Sequence, residues 1–249
     1  MQCWFHLDFS SMAHVLRVSG VIKASLYSVV SRKLLMGIQL ADKTKLRRDY
    51  SFGRLSRGDL DASPLVQFSR WFAEAEKVGL VDVSAMALAT SSQEGKPTVR
   101  IVLLKHFDES GFCWYTDYES TKGLQLAANN CCEVLFYWKE LDRQVRISGK
   151  VNKTSDEESA SYFDDRPLES QAATIASEQS QPIESRPALE NRYDIAVASE
   201  GGLERPVRWG GYRLMPDQYE FWQGREARLH DRFRYTYAEE EWSILRLQP

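Results

Sequence analysis

Ala85-Met-Ala-Leu-Ala-Thr-Ser91, Thr98-Val-Arg-Ile-Val-Leu-Leu-Lys105 and Phe112-Cys-Trp-Tyr-Thr116 are three short runs of β-prone residues in close succession. Gln93-Glu-Gly-Lys-Pro97 and Asp108-Glu-Ser-Gly111 part them with turn residues. Short runs bounded by Gly and Pro in this way read as strands. Glu133–Trp138 and Arg143–Val151 extend the pattern across the turn-like Lys139-Glu-Leu-Asp142. Further strands are expected at Arg208–Met215, Gln218–Gln223, Ala227–Tyr237 and Trp242–Leu247. Helices do not alternate with these strands as a parallel sheet would require. The fold class is therefore α+β, an antiparallel β-barrel with peripheral helices packed outside it.

Two helical sections flank the strands. Ser63 is placed to cap a helix whose first residue is Pro64, a position where the missing N–H costs nothing. Leu65, Phe68, Phe72 and Ala75 then recur at helical spacing, and Gly79 is placed to end the helix. A second section runs over Ser155–Ala198 and opens with Asp156, Glu157 and Glu158, acids that the helix dipole favours in a first turn. Residues 36–249 are expected to form a single domain. Met1–Leu35 differs in character: Asp8 is its only acid, among Arg17, Lys23, Arg32, Lys33 and several serines. It reads either as an organelle-targeting leader or as upstream sequence translated in error. The change of character at Met36 favours the second reading.

Composition narrows the function. Hydrophobic content of 43% and charged content of 27% suit a globular protein, and a net charge of −3 argues against a nucleic-acid binder. Four cysteines show neither a disulfide framework nor metal-ligand spacing, so a reduced, cytoplasmic setting is expected. No stretch is apolar and long enough to span a bilayer, and no metal site is expected. From Arg205 to Arg234 there are seven arginines and no lysine. The guanidinium fork suits phosphate and carboxylate, so this bias points to an anionic ligand.

Three patterns could carry chemistry. Arg228, His230 and Arg232 fall at i, i+2 and i+4 of an expected strand, which would set all three on one face and turn Leu229 and Phe233 towards the core. An anion site and a solvated edge face fit that pattern equally well. Glu119-Ser-Thr-Lys-Gly123 precedes a short helix, where free N–H groups, two hydroxyls and Lys122 suit a phosphate, although simple capping is commoner. Arg100 and Lys105 bracket an apolar strand, and alternation sends them to opposite faces unless a bulge or the strand end redirects one. There is no dinucleotide fingerprint, P-loop or nucleophile elbow. An organic cofactor held by arginines and aromatics is easier to defend than hydrolysis.

Six motifs occur in order over about Leu46–Pro249: Arg100-Ile-Val-Leu-Leu-Lys-His106, Tyr115-Thr116, Arg143-Gln-Val-Arg146, Tyr162-Phe-Asp-Asp-Arg-Pro167, Trp209-Gly-Gly-Tyr212, and Phe221-Trp-Gln-Gly224 with Arg228-Leu-His-Asp-Arg232. Together they resemble the pyridoxamine 5′-phosphate oxidase family. The resemblance implies an FMN-binding split barrel and a homodimer with FMN at the subunit interface. By position, Arg100, Lys122, Ser180 and Arg232 would meet the FMN phosphate and ribityl chain. Ile101, Val102, Leu103, Leu104, Lys105, Tyr115, Thr116, Gln144, Gln179 and Trp222 would hold the remainder. The resemblance assigns Lys105, Tyr162, Arg166 and Ser170 to the substrate phosphate, and Arg228, Leu229 and His230 to the pyridine side, with Arg228 and His230 as the catalytic pair. Arg47-Arg48-Asp49-Tyr50 matches a segment that closes over substrate. Thr121 departs from the pattern, because the family usually carries Arg there.

The implied reaction oxidises pyridoxine or pyridoxamine 5′-phosphate to pyridoxal 5′-phosphate by hydride transfer to FMN, with O2 as final acceptor and H2O2 as product. Two rivals are a split-barrel reductase using a nicotinamide or deazaflavin partner, and a non-enzymatic carrier of FMN or pyridoxal phosphate. Retention of both the cofactor and the substrate sets argues against each.

Overall fold

The computed structural model describes residue 50 and residues 53–199 and 202–249. The expectations for residues 1–35 and for Arg47, Arg48 and Asp49 lie outside the described residues. Nine strands form one antiparallel sheet: β1 (Ala85–Ser91), β2 (Pro97–Leu103), β3 (His106–Asp108), β4 (Gly111–Asp117), β5 (Cys131–Trp138), β6 (Arg143–Lys153), β7 (Trp209–Gln223), β8 (Asp231–Ala238) and β9 (Glu241–Leu247). The order is β2-β1-β5-β6-β7-β4-β3, with β8 joining β7 and β9 joining β8. β7 forks the sheet. Its first half pairs β4 from Trp209 to Leu214, and its second half pairs β8 from Gln218 to Gln223.

β7 replaces the two strands expected on either side of Pro216. A proline has no N–H to give a ladder and is tolerated in sheets at bulges or edges. Here the register of β6 against β7 slips between Ser148 and Gly149, opposite Pro216, so the strand passes through the proline unbroken.

The helices are α1 (Pro64–Lys77), α2 (Thr121–Ala128), α3 (Asp156–Asp164), α4 (Leu168–Ala176) and α5 (Arg186–Val197). Ser63 caps α1 by accepting from the Val66 N–H, and Gly79 leaves the helix at φ +72°. The apolar stripe of α1 fills the inside of the curled sheet. Phe68 is fully buried and packs against Phe72, Phe107, Phe112, Phe136 and Trp138. Met86, Leu88, Val134, Phe136, Val145, Ile147, Leu214 and Phe221 supply the alternating inner face of the strands, each without exposure. Burial of side chains of this size stabilises by about 1.5–3 kcal/mol apiece before entropy is subtracted. The sheet thus gives one stiff wall on which the loops and α2–α4 are hung.

Gly210 and Gly211 begin that wall for a steric reason. A Cβ on Gly210 would strike the Tyr118 hydroxyl, and one on Gly211 would strike Thr154 and lie 2.8 Å from the Tyr115 ring. Their bare backbone leaves room for the Tyr115 ring and the Tyr118 hydroxyl beside β7.

Candidate active site

β2, β4, the N-terminus of α2, helices α3 and α4 and the loop after α4 enclose a cavity of about 1040 Å3. Four cationic side chains line it: Arg100, Lys105, Lys122 and Arg166. Asp117 also lines it, but its carboxylate is ion-paired with Arg208. The cavity is therefore strongly cationic.

Strand geometry explains how Arg100 and Lys105 meet. β2 stops at Leu103. Leu104 turns into the core with 5% exposure, and the Lys105 N–H donates to the Cys113 carbonyl of β4 at 2.8 Å. The chain thus breaks alternation at the strand end, and both cations reach one cavity. Arg100 is held from behind. Its Nη1 donates to the Leu88 carbonyl at 3.0 Å and to Thr90 Oγ1 at 2.7 Å. Gln125 of α2 accepts from the hydroxyls of Thr90 and Thr98, both at 2.6 Å, and ties that helix to the same residues.

Ser120 caps α2 by accepting from the Gly123 N–H. The next turn buries Lys122, whose Nζ donates to Thr116 Oγ1 at 3.0 Å, to Ser120 Oγ at 3.1 Å and to Gln179 Oε1. All three partners are neutral. Burial, and then the nearby Arg100 charge, pull the ammonium down to about 8 against a small opposing pull from Asp117. A buried cation with only neutral partners is completed by an anion.

On the other side of the cavity, Tyr162 of α3 stacks on Tyr115 with ring centres 3.7 Å apart, and Trp209 stacks beyond. Arg166 lies over the Trp209 ring at 4.8 Å and donates to Thr174 Oγ1 at 2.7 Å. Ser170, Ala173, Thr174 and Ser177 complete that wall.

A second group lies at the far end of β7. Trp222 packs on His230 at 4.7 Å, and Tyr50 sits edge-on to both. Gln144 pairs with Trp222 in register from β6, and Arg232 pairs with it from β8. Arg232 is held by the buried carboxylate of Glu220 at 2.8 Å and by the Gln248 carbonyl at 3.0 Å. His230 Nδ1 accepts the Arg225 backbone N–H at 3.1 Å, which leaves the ring proton of the neutral form on Nε2. Burial, and then the Arg228 charge, hold this imidazole below its ordinary value. His230 therefore offers an N–H donor near neutral pH. None of Gln144, Trp222, Arg228, His230 and Arg232 lines the cavity.

Comparison with known proteins places this arrangement. Residues 73–194 match the family profile described as pyridoxamine 5′-phosphate oxidase, and residues 209–249 match the pyridoxine 5′-phosphate oxidase C-terminal dimerisation region. The pyridoxine/pyridoxamine 5′-phosphate oxidase of Paraburkholderia phymatum is 52% identical over 206 residues, 82% of this chain and 97% of the relative. Its namesake in Rubrobacter xylanophilus is 48% identical over 210 residues, 84% of this chain and 97% of that one. The chain belongs to the pyridoxamine 5′-phosphate oxidase family. Among solved structures it resembles PhzG from Burkholderia lata 383, in complex with tetrahydrophenazine-1-carboxylic acid, with TM-score 0.76 and 31% identity over 80% of this chain and 100% of that one. A pyridoxamine 5′-phosphate oxidase-related, FMN binding protein from Nostoc punctiforme shares the fold with TM-score 0.61 at 19% identity, over 76% of this chain and all of its own. The split barrel expected from the sequence is the observed fold.

Of the residues that the resemblance assigns to cofactor or substrate, the cavity brings together Arg100, Ile101, Val102, Leu103, Lys105, Tyr115, Thr116, Thr121, Lys122, Tyr162, Arg166, Ser170, Gln179 and Ser180. Leu104 of the expected cofactor set is turned into the core, and Gln144, Trp222 and Arg232 stand at the far end of β7. One expectation is corrected. Arg228 and His230 are not on a strand face with Arg232, because β8 begins only at Asp231. They leave from a short 3-10 turn, Glu226–Arg228, in which Ala227 and Arg228 take left-handed backbone at φ 53° and 62°. Leu229 is 70% exposed instead of core-facing, whereas Phe233 is buried. The cause is Asp231, whose carboxylate accepts from Arg225, Arg246 and the Leu55 N–H and so pins the turn shut. Such long-range pairing leaves no local sequence signal.

Trp209, Ala173, Thr174 and Ser177 were not anticipated as cavity residues. The last three had a signal, since 170, 173, 174 and 177 are one face of a helix.

The Lys122 shift has a measurable consequence. A folded value near 8 means that the positive charge is present below that pH and lost above it, while a phosphate monoester is already a dianion above about pH 7. Affinity for a phosphate monoester is expected to fall as pH rises beyond about 8, by at most about tenfold per pH unit for one titrating group. Equilibrium dialysis between about pH 7 and 9.5 checks this, and a flat profile would remove Lys122 from the anion site.

Proposed function

We propose that this protein oxidises pyridoxine and pyridoxamine 5′-phosphate to pyridoxal 5′-phosphate with bound FMN. The observation that carries the reading is a cavity lined by four cationic side chains that different elements supply. Arg100 of β2 and Lys122 of α2 lie close enough for one charge to act on the other, Arg166 lies over Trp209 after α3, and Lys105 is also on the lining. Two phosphorylated ligands in one site need such a donor set, and one would not. The buried Lys122, lacking an anionic partner among its three hydrogen bonds, fits the FMN phosphate. The aromatic stack beside Arg166 fits a phosphorylated pyridine.

Bound FMN would supply the redox chemistry, as acceptor of the substrate's hydride with O2 as final acceptor and H2O2 as product. The protein's own residues bind, orient and exclude water. Tyr162, Arg166, Ser170 and Lys105 would hold the substrate phosphate. Arg228 and His230 would direct the pyridine ring, His230 donating from Nε2 without acting as a base. Tyr50 beside Trp222 and His230 would cover the ring from solvent.

A homodimer is part of this reading. Gly211 pairs with Tyr115, and Trp222 lies eleven residues further along β7, about 36 Å at the usual rise of an extended strand. One small ligand does not bridge that distance within one chain. A second copy would bring its Trp222, Arg228, His230 and Arg232 to the cavity of the first. Val99, Ile101 and Leu103, exposed at 69%, 66% and 41% on β2, would be covered by that contact.

The deciding experiment is peroxide release on adding pyridoxine 5′-phosphate to the purified protein in air, with pyridoxal 5′-phosphate formed in equal amount. Product without peroxide would point to a reductase-type partner, and neither to a carrier. The purified protein is also expected to be yellow and to release FMN, not FAD, on denaturation, since no dinucleotide-binding motif accompanies the phosphate set. Chromatography of the released flavin checks this, and FAD would contradict the cofactor assignment.

A further inference from the structure

Glu158 does not line the cavity, yet it touches the residue on which the cavity's two halves meet. It stands four residues before Tyr162 on α3, and so one helical turn away on the same face. Tyr162 lies flat on the Tyr115 ring with centres 3.7 Å apart and planes 13° apart. The Tyr115 hydroxyl donates to Glu158 Oε1 at 3.4 Å. One helix thus grips Tyr115 by its face and by its hydroxyl. Tyr115 and Thr116 belong to β4, on the cofactor side, whereas Tyr162 and Arg166 stand on the substrate side.

Glu158 is itself fixed. Arg213 of β7 donates to its carboxylate at 3.0 Å and is braced by Asp108 at 3.0 Å, while His106 Nε2 lies 3.2 Å away. His106, Cys113 and Glu158 have metal-ligand chemistry within 4.8 Å of one another. The Arg213 guanidinium, 3.2 Å from His106 as well, already supplies the cation there, so the cluster acts as an ion-pair network. Burial, and then the Glu158 charge, push the Tyr115 phenol up, so it stays a hydrogen-bond donor at any pH the protein meets.

We infer that Glu158 is a positioning residue: by holding the Tyr115 hydroxyl it sets the Tyr115–Tyr162 stack, and with it the spacing between the cofactor side and the substrate-phosphate side of the cavity. The inference rests on the proposed oxidase reading for its kinetic consequences, but the stack itself does not depend on that reading.

The test compares Glu158→Ala, Glu158→Gln and Tyr115→Phe, singly and with the first and last combined. In Glu158→Ala, KM for pyridoxine 5′-phosphate and Kd for pyridoxal 5′-phosphate are expected to rise about tenfold, the size of one weakened polar contact, with kcat within about threefold. Glu158→Gln keeps a carbonyl that accepts the phenol and should recover most of the loss. The double variant should be no worse than Tyr115→Phe, because the effect of Glu158 passes through that hydroxyl. The near-ultraviolet circular dichroism of the stacked rings should weaken in Glu158→Ala and Tyr115→Phe alike, and Glu158→Ala should retain its FMN. If Glu158→Ala does not fold, Tyr115→Phe leaves the Glu158–Arg213 pair intact and should show the same KM rise and spectral change. Unchanged KM, Kd and dichroism, or an undiminished Glu158→Ala effect in the Tyr115→Phe background, would overturn the inference. A wild-type protein that neither releases peroxide nor binds pyridoxal 5′-phosphate would overturn the oxidase reading instead, and the dichroism series would still decide the role of Glu158.

Discussion

Alanine at Arg228 or at His230 is expected to lower kcat/KM for pyridoxine 5′-phosphate by roughly ten- to a hundredfold while FMN stays bound. The figure is the loss of one charge-assisted or well-directed hydrogen bond, about 1.5–3 kcal/mol. Both side chains leave from the 225–230 turn and neither is among the residues around Arg100 and Lys122, so the groups assigned to the FMN phosphate on β2 and α2 keep their partners. The two variants should differ in kind. Arg228 takes left-handed backbone at φ 62°, a conformation that costs a non-glycine residue free energy, and Arg228→Gly is expected to lose activity without losing stability. His230 accepts the Arg225 N–H, so His230→Ala frees a backbone donor and should also loosen the turn. His230→Asn, which can accept the same N–H, separates the two effects: restored stability without restored turnover is the expected pattern. Steady-state kinetics with flavin quantified in each preparation decides the matter. Unchanged kinetics in both alanine variants would remove these residues from the substrate side.

The turn that carries these two residues is also where sequence reading fails. Arg228, His230 and Arg232 alternate with Leu229, Asp231 and Phe233, and alternation is the ordinary mark of a strand. The alternation is real only from Asp231 onward. Upstream, the chain is bent by bonds from Asp231 to Arg225, Arg246 and Leu55, the last 176 residues away in sequence. No local pattern encodes such partners. Arg100 and Lys105 show the opposite case: strict alternation separates them, and the strand end at Leu103, which brings them together, was foreseeable as one of two escapes. The α1 helix was legible in full because Ser63, Pro64, its apolar stripe and Gly79 all act locally. The cavity wall of α4 was legible in principle from Ser170 onward, but helical spacing of Ala, Thr and Ser is a faint signal. Most of the cavity was anticipated only through the family's motifs. Their residue types say little until the fold sets β2, β4 and α2 side by side.

Thr121 departs from the pattern that the family resemblance implies, and Thr121→Arg is expected to tighten FMN binding. Thr121 is exposed, is the first residue of α2, and lines the cavity beside the buried Lys122. An arginine there would add a permanent charge and a fork of donors at a helix N-terminus, where an anion is already favoured. The gain is at most about 1–3 kcal/mol for one charge-assisted contact. It is bounded further by the groups already present: Arg100 and Lys122 would continue to hold the phosphate, so the native protein is expected to bind FMN without it. The position sets the salt dependence. A group that reaches in from the exposed end of α2 is screened over about 10 Å at ordinary ionic strength, unlike Lys122, which is 6% exposed. Titrating apo-protein with FMN at several salt concentrations should therefore show tighter binding in Thr121→Arg, with the advantage shrinking as salt rises. The Lys122 charge matters in the same titration, because above about pH 8 native protein and variant alike lose that cation, while the introduced guanidinium keeps its charge. The advantage of Thr121→Arg should accordingly persist at alkaline pH, and a variant that binds no better than wild type at any pH would show that the first turn of α2 does not face the phosphate.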